Sequence, residues 1–177
     1  MIDMYGKCEE VLISKESLAK RVAELGEEIT RDYQGKDLLV VGVLRGSFIF
    51  MADLVREIKV PLCLDFMIAK SYVGTNTSGE VRILKDVDVP VAGKEVLVVE
   101  DIVDSGFTLS KIKSYFESRG AAGVKICTAL DKPSRRVVKD LHVDYVGFEV
   151  PNAFVVGYGL DFNDHMRSFP EVRIYKP

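Results

Sequence analysis

Val96-Leu97-Val98-Val99-Glu100-Asp101-Ile102-Val103-Asp104-Ser105-Gly106-Phe107-Thr108-Leu109 is the stretch that decides how this chain folds. Its first four residues are apolar and mostly β-branched, the pattern of a strand covered on both faces in a parallel sheet. Glu100 and Asp101 follow where that run gives out, and the carboxyl ends of parallel strands are where α/β sheets bind ligands. Ser105-Gly106 then supplies a turn, and residues 107–119 carry apolar side chains at helical spacing. Residues 104–108 therefore lie at a helix N-terminus, where N–H groups without helical partners and the helix dipole favour a phosphate. Metal-seeking charge and a phosphate-sized turn meet at one strand end.

Upstream the pattern repeats. Residues 38–44 read as a buried strand, Arg45-Gly46 as a tight turn, and residues 47–58 as a helix expected to turn Phe48, Met51, Ala52 and Val55 inward. Before it, Ser14 caps a helix with Leu18, Val22, Leu25 and Ile29 on one face, ended by Gly35. Leu62, Leu64, Phe66 and Ile68 alternate with Cys63, Asp65 and Met67 in a further strand. Residues 71–80 (SYVGTNTSGE) are small, polar and glycine-bearing, which predicts a mobile surface loop, and residues 81–84 a short returning strand. Residues 124–130 form another strand, with the basic loop Asp131-Lys132-Pro133-Ser134-Arg135-Arg136 at its carboxyl end; residues 145–148 and 172–175 complete the strands. Strands alternating with helices predict one α/β domain over residues 1–177, with a mostly parallel central sheet flanked by helices.

Composition narrows the function. With 24 basic and 27 acidic residues the net charge is −3, which argues against nucleic acid as a partner because phosphate-backbone binding needs a basic surface. No apolar run approaches the roughly 20 residues of a membrane span, and residues 1–10 lack the basic-then-apolar form of a signal peptide, so a cytoplasmic protein without a membrane partner is expected. The three cysteines, Cys8, Cys63 and Cys127, form no C-x-x-C and are expected to be buried, reduced thiols. His142 and His165 are too few for a histidine-rich metal site and read as structural or surface residues, so any metal should be oxygen-ligated. There is no G-x-x-x-x-G-K-[ST], and Gly157-Tyr158-Gly159 lacks the third glycine of a dinucleotide fingerprint. ATP-type and dinucleotide sites are disfavoured.

What remains resembles the type I phosphoribosyltransferases, whose diphosphoribose-binding motif is an apolar strand, two acids and a Ser/Thr-Gly-x-Thr turn. Glu100-Asp101 and Ser105-Gly106-Phe107-Thr108 match it. Leu44-Arg45-Gly46-Ser47, Lys70-Ser71-Tyr72, the Asp104 motif, Lys132 and Phe154-Val155-Val156-Gly157-Tyr158-Gly159-Leu160-Asp161 recur in the order of the family's hypoxanthine-guanine branch, across residues 38–167. Any one block is weak, but five in one order are specific. Ser105 stands where Thr is frequent and Gly159 where Ala is frequent; neither departure removes a charged group.

The resemblance implies displacement of pyrophosphate from phosphoribosyl pyrophosphate by a 6-oxopurine, with Mg²⁺ as cofactor and a small hood built from the terminal segments. It implies that Glu100 and Asp101 hold the ribose hydroxyls and Mg²⁺, with Asp161 at a second metal position beside the purine. Asp104 becomes the general base for purine N7, and Ser105, Gly106, Phe107 and Thr108 the cradle of the 5′-phosphate. Lys132 donates to the purine O6, Phe154 stacks on the ring, and Val155 offers main-chain groups to its edge. Arg45, Gly46, Ser71, Tyr72 and Arg167 surround the pyrophosphate, residues 71–80 close over the reacting centre, and a non-proline cis peptide joins Leu44 to Arg45. A homodimer or homotetramer is implied, with the surface around Arg45 and the Phe48 helix as interface.

Two rivals differ in class or substrate. Some proteins of this fold bind RNA or DNA and use phosphoribosyl pyrophosphate as a signal, but the acidic balance and the pairing of Asp104 with Lys132 favour the purine enzyme. A xanthine-preferring enzyme shares the reaction class, and the residues do not separate hypoxanthine from guanine.

Overall fold

Val96, Leu97, Val98 and Val99 are fully buried near the middle of a six-stranded sheet. The computed structural model describes residues 8–72 and 80–176. In chain order its elements are β1 (Cys8–Ile13), α1 (Lys15–Asp32), β2 (Leu38–Leu44), α2 (Phe48–Glu57), β3 (Leu62–Tyr72), β4 (Glu80–Lys85), β5 (Glu95–Val103), α3 (Phe107–Ser118), β6 (Gly123–Asp131), a 3-10 turn (Pro133–Arg135), β7 (Tyr145–Glu149), β8 (Val155–Val156) and β9 (Val172–Tyr175). The sheet order is β4-β3-β2-β5-β6-β7, parallel except for the β3–β4 hairpin.

Alternation along the central strands explains why they read as unbroken apolar runs. Leu38, Val40, Leu97 and Val99 join the layer under α1 and α2, packing with Leu25, Ile29, Met51 and Leu54. Their neighbours Leu39, Val41, Val96 and Val98 face the other way and pack with Leu109, Ile112 and Phe116 of α3. Both faces are covered, so both sets of side chains must be apolar. The Ser14 hydroxyl accepts from the Ser17 N–H at 3.2 Å as the N-cap of α1, and Gly35 takes φ +72 just beyond its C-cap, Tyr33.

β1, β9 and β8 pair antiparallel in a separate three-stranded sheet, the hood expected from the terminal segments.

Three expectations need correction. The inward face of α2 is Phe50, Met51 and Leu54, in phase with buried Ser47, while Phe48 is exposed. The buried Ser47 hydroxyl bonds to the Val43 carbonyl at 2.7 Å, which fixes the helix one position off the face predicted from hydrophobicity. Cys127 is buried, but Cys63 is exposed near the start of β3, as is Leu64 beside it, whereas Met67 further along the same face as Cys63 is fully buried. Finally, β5 does not end at the acid pair: it runs to Val103. Among the described residues no helix is long and apolar enough to cross a membrane.

Candidate active site

The acid pair owes its position to asymmetric pairing of β5. Against β2 the ladder stops at Gly42↔Val99, whereas against β6 it continues to Val103↔Asp131. One edge of β5 from Glu100 onward is therefore free to face the turn that leaves β2. That turn carries the expected Leu44-Arg45 cis peptide. Gly46 lies so close to Asp101 that a β-carbon there would collide with the Asp101 carboxylate. Glycine is required by this approach.

Glu100 accepts from the Asp101 N–H at 3.2 Å, and Asp101 from the Ile102 N–H at 2.7 Å. Enclosure by protein raises the pKa of Glu100 well above the usual carboxylate range, and the neighbouring Asp101 charge adds to it. Burial likewise raises Asp101. Two adjacent carboxylates that resist ionisation together are a donor set short of positive charge.

Gly106 begins α3 with φ +87, and a β-carbon there would lie 3.0 Å from the Arg136 and Leu141 side chains. The Ser105 carbonyl accepts the Val137 and Val138 N–H groups at 3.0 and 3.1 Å, pinning the phosphate-type turn to the basic loop after β6. Arg136 is anchored below by an ion pair with Asp131. Asp104 is held from the same loop: Arg135 Nε donates to Oδ1 at 2.8 Å and Nη2 lies 3.4 Å from Oδ2.

Opposite these lie two arginines. Arg167 Nη2 is 2.7 Å from Asp161 Oδ1 and Nη1 donates to the Gly159 carbonyl at 2.7 Å, while Arg45 Nη2 is 2.8 Å from Asp164 Oδ1. Gly159 packs directly on the Gly46 carbonyl, which joins the two arginine-bearing loops.

An open cavity of about 650 Å³ lies between these parts. It brings together Arg45, Gly46, Ser71, Glu100, Asp101, Asp104, Ser105, Gly106, Thr108, Asp161 and Arg167. Phe107, Lys132, Phe154 and Val155 are not in its lining. Phe107 is exposed at the start of α3. Lys132 Nζ donates to the Ala153 carbonyl at 2.7 Å, and partial burial lowers its pKa. Phe154 is 45% exposed and meets Phe162 edge-on at 5.7 Å, so it is not a core phenylalanine. Val155 is buried in β8 opposite Ile174. Tyr72 ends β3, and residues 73–79 of the expected mobile loop lie outside the described residues. No cluster of three carboxylate, histidine or cysteine side chains suited to a metal occurs among the described residues; Asp161 is separate from the Glu100-Asp101 pair and engaged by Arg167.

Arg135 and Asp164 were not singled out from sequence. Arg135 stood in the basic loop without a partner to suggest its role, and the signal for Asp164 is an Asn-Asp turn dipeptide at residues 163–164.

Residues 10–163 match the phosphoribosyl transferase domain, and the chain belongs to the phosphoribosyltransferase family. Its relatives place it in the hypoxanthine-guanine branch. The hypoxanthine-guanine phosphoribosyltransferase of Bacillus subtilis (strain 168) is 51% identical over 170 residues, covering 96% of this chain and 94% of that protein. The hypoxanthine phosphoribosyltransferase of Salmonella typhimurium (strain LT2) is 51% identical over 166 residues, covering 92% and 93%. Among solved structures, hypoxanthine phosphoribosyltransferase from Staphylococcus aureus superposes with a TM-score of 0.93 at 42% identity, covering 100% of this chain and 97% of that one.

Proposed function

We infer that this chain transfers the 5-phosphoribosyl group from phosphoribosyl pyrophosphate to a 6-oxopurine, hypoxanthine or guanine, giving IMP or GMP and pyrophosphate in purine salvage. One observation carries the reading: a single cavity joins an under-compensated acid pair, a glycine-dependent phosphate turn and two arginines.

Transfer of this kind passes through an oxocarbenium-like ribose, so the site must hold a polyanion, stabilise the departing pyrophosphate and deprotonate the purine. Glu100 and Asp101 suit the ribose hydroxyls. Their hard oxygen donors and unmet negative charge also fit Mg²⁺, which keeps water and substrate oxygens in its shell and needs few protein ligands. When bound, Mg²⁺ would neutralise charge on the pyrophosphate oxygens. We assign Asp161 to a second such position, where it must exchange its contact with Arg167. Arg45 and Arg167, with Gly46, Ser71 and Tyr72, take the pyrophosphate end.

Ser105, Gly106, Phe107 and Thr108 cradle the 5′-phosphate at the start of α3, the main-chain N–H of Phe107 serving although its side chain faces away. Asp104 accepts the N7 proton of the purine. Its two hydrogen bonds to Arg135 leave further lone pairs for that proton, since a carboxylate has about four acceptor sites. Lys132 has spare donors beyond its bond to Ala153, and one of them on O6 selects 6-oxopurines over adenine, whose amino group cannot accept. Phe154 presents its exposed ring for stacking, and Val155 its main chain to the purine edge.

The exposed Phe48 beside Arg45 marks the face we assign to self-association as a dimer or tetramer, which sedimentation at several concentrations reads directly. The function itself is tested by incubating the protein with hypoxanthine, phosphoribosyl pyrophosphate and Mg²⁺: IMP and pyrophosphate should appear in equal amounts. Absence of IMP overturns the reading.

A further inference from the structure

We propose that Asp164 is an internal stand-in for pyrophosphate, a competing carboxylate that sets how tightly the leaving-group end of the site holds its anion. The inference rests on the assignment of Arg45 and Arg167 to pyrophosphate.

Asp164 Oδ1 lies 2.8 Å from Arg45 Nη2 and 3.5 Å from Arg167 Nη2, so one carboxylate oxygen bridges these two arginines of the cavity wall, which Lys70 also lines. The turn that presents it is built for the purpose. Phe162 and His165 form an isolated antiparallel bridge, with N–H to carbonyl distances of 3.1 and 3.0 Å in the two directions. Between them Asn163 and Asp164 take φ +51 and +64, the left-handed region that Asn and Asp tolerate better than other side chains. The Asp164 N–H donates to Asp161 Oδ2 at 2.8 Å, which fixes the backbone while leaving the carboxylate to the arginines.

The anchoring of the two arginines is unequal. Arg167 also holds Asp161 and the Gly159 carbonyl, and it keeps its place without Asp164. For Arg45, the ion pair found among the described residues is the one to Asp164, and these two side chains are 66% and 62% exposed. An ion pair that exposed is weak and exchangeable, within reach of a competing polyanion. Two guanidinium groups and the carboxylates of Asp161 and Asp164 cancel formally. An incoming pyrophosphate group must therefore displace the Asp164 carboxylate to gain both arginines, and departing pyrophosphate is followed by its return.

The sign of the effect separates this role from a scaffold. A residue that merely orients the arginines would weaken anion binding when removed; a competitor would strengthen it. Calorimetric titration with inorganic pyrophosphate and Mg²⁺ should give about 2–5-fold tighter binding to Asp164→Asn and Asp164→Gly than to the unaltered protein, the range an exposed ion pair supports. Both replacements accept the left-handed backbone, so loss of folding in one leaves the other to decide. The KM for phosphoribosyl pyrophosphate should fall in parallel while the KM for hypoxanthine stays unchanged, and added salt should shrink the gain. Unchanged or weaker pyrophosphate binding in the folded variants overturns the proposal. Arg167→Gln tests the underlying assignment separately: its pyrophosphate affinity should drop, and an undiminished affinity would refute the pyrophosphate reading itself.

Discussion

Arg135 grips Asp104 through two nitrogens, at 2.8 Å and 3.4 Å, so the carboxylate assigned as the base for the purine is oriented before any purine arrives. Both side chains are about half exposed, which makes the pair an aiming device more than a source of stability. Asp104→Asn keeps the shape but cannot take a proton. Turnover should drop by about 10²–10⁴ while phosphoribosyl pyrophosphate still binds, as equilibrium dialysis would show. Near-normal kcat would remove Asp104 from the chemistry. Arg135→Ala should be milder, a loss of about 2–5-fold in kcat/KM for the purine with the KM for phosphoribosyl pyrophosphate unchanged.

Gly46 is the point of closest approach between the turn after β2 and the acid pair. In Gly46→Ala the new methyl group meets the end of the Asp101 side chain, which can swing away, so the fold survives and the carboxylate is displaced. The melting temperature should move little. The kcat/KM for phosphoribosyl pyrophosphate should fall at least about tenfold, since ångström-scale misplacement of a positioning group is costly.

Glu100→Gln should separate stability from activity. Burial and the Asp101 charge disfavour ionised Glu100, so the free protein carries a cost that a neutral amide avoids. Melting in EDTA at neutral pH should show the variant more stable than the unaltered protein, because a neutral amide avoids the cost of a buried charge beside Asp101. Its transferase activity should fall. A less stable variant would contradict the account of the pair.

Asp65 supplies the opposite pH behaviour. Partial burial pushes its pKa up, but the N–H groups of Val89, Phe66 and Asp88, at 3.0, 2.7 and 2.6 Å, and the charge of Lys85 outweigh it and hold it below the usual range. A carboxylate depressed in the folded state stabilises above its unfolded pKa, and that contribution fades as pH falls through the folded value. Asp65→Asn should cost about 1.5–3 kcal/mol at pH 7, the scale of hydrogen bonds to a charged group. In denaturant titrations the gap should narrow steadily below about pH 4.

The central layer was legible because its signals are local and redundant. The run from Val96 to Val99 needs apolar residues on both sides of the sheet, and Gly106 needs its left-handed turn, so both are written in the residues themselves. The phase of α2 was misread because hydrophobicity alone did not weigh the buried Ser47 hydroxyl, whose bond to Val43 turns Phe48 outward. The ion-pair partners in the site were not legible. Arg135 and Asp104 are 31 residues apart, and Arg45 meets Asp164 across most of the chain. Such pairs arise where separate loops converge at the carboxyl ends of the strands, and no spacing in the sequence encodes them.

The most direct measurement is a set of initial rates with phosphoribosyl pyrophosphate and Mg²⁺ against hypoxanthine, guanine, xanthine, adenine and uracil. A Lys132 donor at O6 and an Asp104 acceptor at N7 predict nucleotide formation from hypoxanthine or guanine, and none from adenine or uracil. Turnover of uracil or adenine alone would contradict the account.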